Sequence, residues 1–118
     1  MSEADLKRTV ADYLNVLQNQ GKLMFLRLNA GSFILTDKDG NFRRRVQGVK
    51  AGTADFIVIR SCFEKSCIQR IVDFIELKSE RGKQTKEQKE FQELAENNGC
   101  GYYIIRTLEE LQLIISQA

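Results

Sequence analysis

Three residues of this 118-residue chain stand in an order that could carry out hydrolysis: Asp55, Glu76 and Lys78. Asp55 heads the short branched run Phe56-Ile57-Val58-Ile59, and Glu76 and Lys78 close the run from Ile71 to Lys78. Both runs read as strands, the first of them centrally buried. Side chains at i and i+2 of a strand share a face, so Glu76 and Lys78 emerge side by side and continue the row of Val72 and Phe74. Apolar residues thus give way to charge along one face. If the two strands form a hairpin, Asp55 lies near Glu76 across it, and two adjacent carboxylates at a core rim call for a cation. A hard divalent ion such as Mg²⁺ suits oxygen donors and retains waters for substrate and nucleophile. Lys78 beside such an ion would orient a water, help take up its proton, or stabilise charge on a phosphoryl oxygen. That is phosphodiester hydrolysis without histidine.

The absence of histidine from the whole chain gives this reading its force. It excludes Ser-His-Asp and Cys-His nucleophiles and every imidazole-bearing zinc or iron site. With 18 Lys and Arg against 16 Asp and Glu the net charge is only +2. Residues 1–59 hold nine basic and six acidic side chains, against nine and ten in residues 60–118. Such a balance does not by itself announce nucleic-acid binding, and Arg43, Arg44 and Arg45 make one local positive spot. A second Glu-x-Lys, Glu87-Gln88-Lys89, falls on a helix, where i and i+2 do not share a face, and reads as solvated surface. Cys62, Cys67 and Cys100 read as structural free thiols, since three cysteines without histidine do not make a closed tetrahedral zinc site.

The elements that must position these residues follow from pattern. Ser2 with Asp5 opens a helix over about residues 3–19, whose stripe is Leu6, Val10, Tyr13, Leu14 and Leu17, and Gly21 ends it. Strands are expected at 23–28, 33–36 and 42–47, with a turn at Asn29-Ala30-Gly31-Ser32 and a reversal at Asp37-Lys38-Asp39-Gly40. Ser61 to Gln69 reads as a polar connection and Ser79 to Gln84 as a polar loop. Thr85 with Gln88 caps a helix with Phe91, Leu94 and Ala95 as its apolar stripe, and Asn98-Gly99 closes it. Tyr102 to Arg106 is a strand, with Tyr102 and Tyr103 on a sheet face. Thr107 with Glu110 opens a last helix carrying Leu108, Leu111, Ile114 and Ile115. The order is α-β-β-β-β-β-α-β-α, and the helical crossover makes the strands at 71–78 and 102–106 parallel neighbours. The fold class is α/β, a mixed central β-sheet flanked by helices.

The series Gly52-Thr53-Ala54-Asp55, Glu76-Leu77-Lys78-Ser79, Gly82-Lys83 and Gln88 resembles the PD-(D/E)xK nuclease superfamily, and within it the VRR-NUC (virus-type replication-repair nuclease) domains. The likeness extends to the acidic first helix and the Asn29-Ala30-Gly31 turn, and so spans nearly the whole chain as one nuclease domain over 1–118. It implies a restriction-endonuclease-like fold, with Asp55 and Glu76 as metal-ligating acids and Lys78 as the catalytic lysine. Glu3 would be an additional metal acid, with Asp5 as its rival, and Gln88 a glutamine near the catalytic centre that is equally well explained as a capping residue. Ala54 departs from the family, in which proline is common there. The implied cofactor is Mg²⁺, with Mn²⁺ as a substitute.

The resemblance further implies branched DNA such as four-way (Holliday) junctions as substrate, a homodimer presenting two sites to a two-fold substrate, and no nucleotide cofactor. Asn29, Ser32, Arg43, Arg44, Arg45, Lys50, Arg81 and Lys83 are the candidate DNA contacts. No apolar run approaches a membrane span, so a cytoplasmic protein is expected, and the resemblance implies a bacterial or phage-infected host. Two other readings share the fold: a restriction- or mismatch-type endonuclease, and a DNA-binding module without turnover.

Overall fold

A computed structural model of the chain describes residues 2–28, 32–64 and 67–116. Helix α1 spans Glu3–Asn19 and begins as its sequence dictates: the Ser2 hydroxyl accepts from the Asp5 N–H while the Asp5 carboxylate reaches back to Ser2. Acids in this first turn also meet the positive end of the helix. The chain continues through β1 (Met24–Arg27), β2 (Ser32–Thr36), β3 (Phe42–Gln47), β4 (Phe56–Glu64) and β5 (Cys67–Leu77). Helix α2 (Lys86–Asn97), β6 (Gly101–Ile105) and α3 (Leu108–Ser116) complete it. Element order and the parallel pairing of β5 with β6 match the expectation from the crossover.

A four-stranded sheet runs β1-β4-β5-β6, with β1 and β5 antiparallel to β4. One face carries Phe56, Val58, Ile75, Leu77 and Ile105, which pack on Leu6, Val10, Leu14 and Leu17 of α1 and Leu111 of α3. Burying each such side chain contributes about 1.5–3 kcal/mol. The other face is covered by α2, whose Phe91 meets Phe74 edge-on with ring centroids 4.9 Å apart and Tyr102 at 6.1 Å. Beneath α3, Arg60 donates to the carbonyls of Ile114 (3.2 Å) and Ile115 (3.1 Å) and to Asp73 Oδ2 (3.4 Å). A cation suits the negative end of that helix.

Four expectations need correction. Strands β2 and β3 form a separate two-stranded ribbon, not part of the central sheet. Ser32 opens β2 instead of closing a turn, while Asn29 to Gly31 lie outside the described residues. The stretch read as a polar connection from Ser61 to Gln69 is strand on both sides: β4 and β5 stay in register through Ser61↔Arg70, Cys62↔Gln69, Phe63↔Ile68 and Glu64↔Cys67. A hairpin beyond the sheet needs only its backbone ladder, so polarity there carries no signal against strand. Leu94, assigned to the apolar stripe of α2, is 63% exposed, whereas Ala95 is buried.

The loop before β4 is locked onto α2 through Gly52. Its φ is +92°, and a Cβ there would lie 2.6 Å from the Glu87 carbonyl oxygen, next to Gln88 in the first turn of α2. Gly40 also has positive φ, +86°, but open space around it. Gly52→Ala is therefore expected to destabilise the fold by about 2 kcal/mol or more, against about 1 kcal/mol for Gly40→Ala. Urea denaturation of the two variants checks this, and equal losses would refute the close packing of the loop on α2.

Candidate active site

The β4–β5 register, with Phe56 opposite Ile75, brings Asp55 to the level of Glu76 at the end of the hairpin where β5 leaves the sheet. Asp55 sits one residue before β4 and is held by backbone on both sides. Its carbonyl accepts from the Leu28 N–H at 2.8 Å, and its Oδ2 accepts from the Leu77 N–H at 2.8 Å. Lys78 stands just past β5, with its own N–H donating to the Ile105 carbonyl at 3.0 Å, so the ladder with β6 continues through it. The alternation expected from sequence holds: Lys78 Nζ lies 4.0 Å from Glu76 Oε1.

Glu76 is only 2% exposed and Lys78 9%. Burial, and after it the hydrogen-bonded and like-charged Asp55 carboxyl, push Glu76 up to about 8, while Lys78 pulls it back. Gln88 donates its side-chain amide to Glu76 Oε1. Its Oε1 accepts from the Thr85 N–H at 2.8 Å, and its own N–H donates to Thr85 Oγ1 at 3.1 Å. Gln88 thus caps α2 with its oxygen and contacts Glu76 with its amide nitrogen. The capping box fixes the side chain, and the remaining N–H is aimed at the buried acid.

Glu3 and Asp5 are separated by their partners. Asp5 is committed to the cap, where hydrogen bonds from Ser2 hold its carboxyl below the usual range. Glu3 lies toward the site, at one remove: Lys7 Nζ is 3.8 Å from Glu3 Oε1 and 3.2 Å from Asp55 Oδ1. Among the described residues no three acidic or cysteine side chains gather closely enough to hold a metal. The oxygen pair of the site is Asp55 with Glu76.

Lys7 is the site residue that sequence reasoning missed. Its spacing from Glu3 reads as an ordinary i,i+4 helix pair, and only the docking of α1 turns it toward Asp55. Lys7 also borders an open recess of about 610 Å³, whose lining includes Glu3, Arg8, Asp12 and Arg27. Arg106 was also unforeseen. It donates to the carbonyls of Ser79 (2.6 Å) and Gly82 (2.9 Å), shaping the loop that carries exposed Arg81 and Lys83.

The remaining expected contacts are placed as follows among the described residues. Arg43, Arg44 and Arg45 are exposed on β3 of the separate ribbon, where Arg43 and Arg44 flank Leu35 and Thr36. Lys50 is exposed in the loop before Asp55, and its carbonyl accepts from Thr53 Oγ1 at 2.6 Å. Asn29 and the side chain of Ser32 lie outside the described residues, as do those of Cys62 and Cys67; Cys100 is a free, half-buried thiol. Tyr102 is buried on the sheet, and burial pushes its phenol up to about 12. Among the described residues no helix is long and apolar enough to cross a membrane. No protein-family profile matches the chain, and neither a curated protein nor a solved structure is significantly similar to it.

Glu76 titrates near 8 in the folded protein and at 4.5 as an ordinary glutamate, so between these values the folded chain keeps a proton that the unfolded chain has lost. The stability that Glu76 contributes is then fully present below about pH 4.5 and is lost as pH rises through about 8. Asp73, also raised by burial, contributes with the same sign. Urea midpoints measured in chelator across this window should decline, and Glu76→Gln should flatten the decline. An undiminished slope in that variant would rule out Glu76 as its source.

Proposed function

We propose that the chain is a divalent-metal-dependent DNA endonuclease with a restriction-endonuclease-like fold, akin to VRR-NUC domains and acting on branched DNA such as four-way junctions as a homodimer. The observation that carries this reading is the convergence of Asp55, Lys78 and Gln88 on the buried carboxyl of Glu76. Burying Glu76 against a second acid opposes stability, and such local violations concentrate at functional sites.

The donor set suits a hard ion. Both acids present oxygen, and the ammonium of Lys7 at 3.2 Å from Asp55 Oδ1 already stands in as a cation. Asp55 and Glu76 would hold Mg²⁺, which when bound supplies Lewis acidity and a water acidified enough to attack a phosphodiester. The chain's own groups do the rest. Leu77 N–H and the Gln88 amide fix the orientation of the two carboxylates. The Lys78 ammonium, held on the same face as Glu76, neutralises negative charge developing on a phosphoryl oxygen. Arg8 and Arg27 in the adjacent recess, with Arg81 and Lys83 on the loop tied down by Arg106, provide positive charge for the DNA backbone. Branched DNA and the homodimer follow from the resemblance to VRR-NUC domains.

The test is incubation of the purified protein with a labelled four-way junction and a matched linear duplex, with Mg²⁺, Mn²⁺ or chelator. Metal-dependent cleavage favouring the junction is expected, with Lys78→Ala slower by about 10²–10³-fold. Absence of metal-dependent cleavage of every DNA form, or full activity in Lys78→Ala, overturns the reading. Cutting of linear duplex at a defined sequence would establish the restriction-type alternative instead.

A further inference from the structure

Each oxygen of Asp55 already has a partner, and the carboxyl is hydrogen-bonded to Glu76 as well. Oδ2 is taken by the Leu77 N–H at 2.8 Å, a backbone group that cannot move without breaking the end of β5. Oδ1, the oxygen left for a ligand, is taken by Lys7 Nζ at 3.2 Å. On Glu76, Oε1 meets the Gln88 amide and faces Lys78. A divalent ion at Oδ1 is therefore opposed by the Lys7 ammonium and favoured by its displacement. That displacement is easy to accommodate: the Lys7 side chain is 32% exposed, borders the open recess beside α1, and lies 3.8 Å from a second carboxylate, Glu3 Oε1.

We propose that Lys7 is a tethered counter-cation that neutralises Asp55 in the metal-free protein and competes with the divalent ion for Oδ1, with Glu3 one helical turn away as the carboxylate that receives the displaced ammonium. The inference rests on the reading of Asp55 and Glu76 as metal ligands. It assigns Glu3 a role through Lys7 in place of direct ligation. Two cations cannot share one carboxylate oxygen without mutual repulsion, so whatever Lys7 contributes to the metal-free site is subtracted from the affinity for the metal. The tether lowers the occupancy of the site at low metal concentration without touching Lys78.

Calorimetric titration of the full chain with Mn²⁺ alone, in the absence of DNA, tests this. Lys7→Gln is expected to bind Mn²⁺ about fivefold more tightly than the unaltered protein, the factor for a partly exposed ion pair. Lys7→Arg, which keeps a cation at the position, should stay near the unaltered affinity and shows that the gain comes from charge and not from loosened packing. Introducing Glu3→Gln into the Lys7→Gln background should leave Mn²⁺ binding unchanged, since Glu3 acts through Lys7. Equal or weaker binding by Lys7→Gln overturns the proposal while leaving Asp55 and Glu76 as ligands. A further loss on adding Glu3→Gln makes Glu3 a ligand and overturns its assigned role. Failure of every form to bind Mn²⁺ removes the metal reading and this inference together.

Discussion

A buried carboxyl in contact with a second carboxyl ionises only where a cation compensates it, and otherwise keeps its proton. Around Asp55 and Glu76 every available answer to that constraint is in use. A proton is retained on the pair, because burial and the neighbouring acid raise Glu76. Lys7 and Lys78 each bring an ammonium, and the Leu77 N–H and the Gln88 amide donate to the oxygens. An arrangement built only for stability would replace the pair with apolar side chains, as Phe56 and Ile75 do one residue further along the same hairpin. Retaining it within a well-packed sheet end is the strongest support for chemistry at this place.

The rest of the fold serves to hold that pair. The antiparallel register of β4 and β5 puts the acids at one level, and β6 extends the ladder so that Lys78 is fixed through its backbone. Helix α1 packs its apolar stripe on one sheet face, and this docking swings Lys7 and Glu3 to the rim. Helix α2 covers the other face through Phe91 and is locked to the Asp55 loop at Gly52. Its capping box then aims Gln88 at Glu76. Helix α1, the β4–β5 hairpin with β6 beside it, and helix α2 thus meet at one carboxyl pair, and each is anchored by contacts of its own.

Much of this was legible before the structure. The helix starts were, because capping boxes are local and Ser2-Asp5 and Thr85-Gln88 close within a single turn. So was the shared face of Glu76 and Lys78, since strand alternation is a property of the backbone. The outer part of the β4–β5 hairpin was not, for its residues lack the alternation that marks a half-buried strand. The separation of the β2–β3 ribbon from the main sheet was equally hidden, because propensity marks a strand without naming its partner.

The sequence by itself limited the chemistry open to this protein: without histidine, imidazole-activated nucleophiles and imidazole-bearing metal sites are excluded. It also determined which residues share a face and where helices begin, because these depend on neighbours within a few positions. Tertiary structure alone decided the partners. Glu3 faces the site while Asp5 stays in the cap, and Lys7 is drawn to Asp55, 48 positions along the chain. Ion pairs depend on distances of a few ångströms between side chains, and between distant residues those distances exist only once helices and sheet have packed.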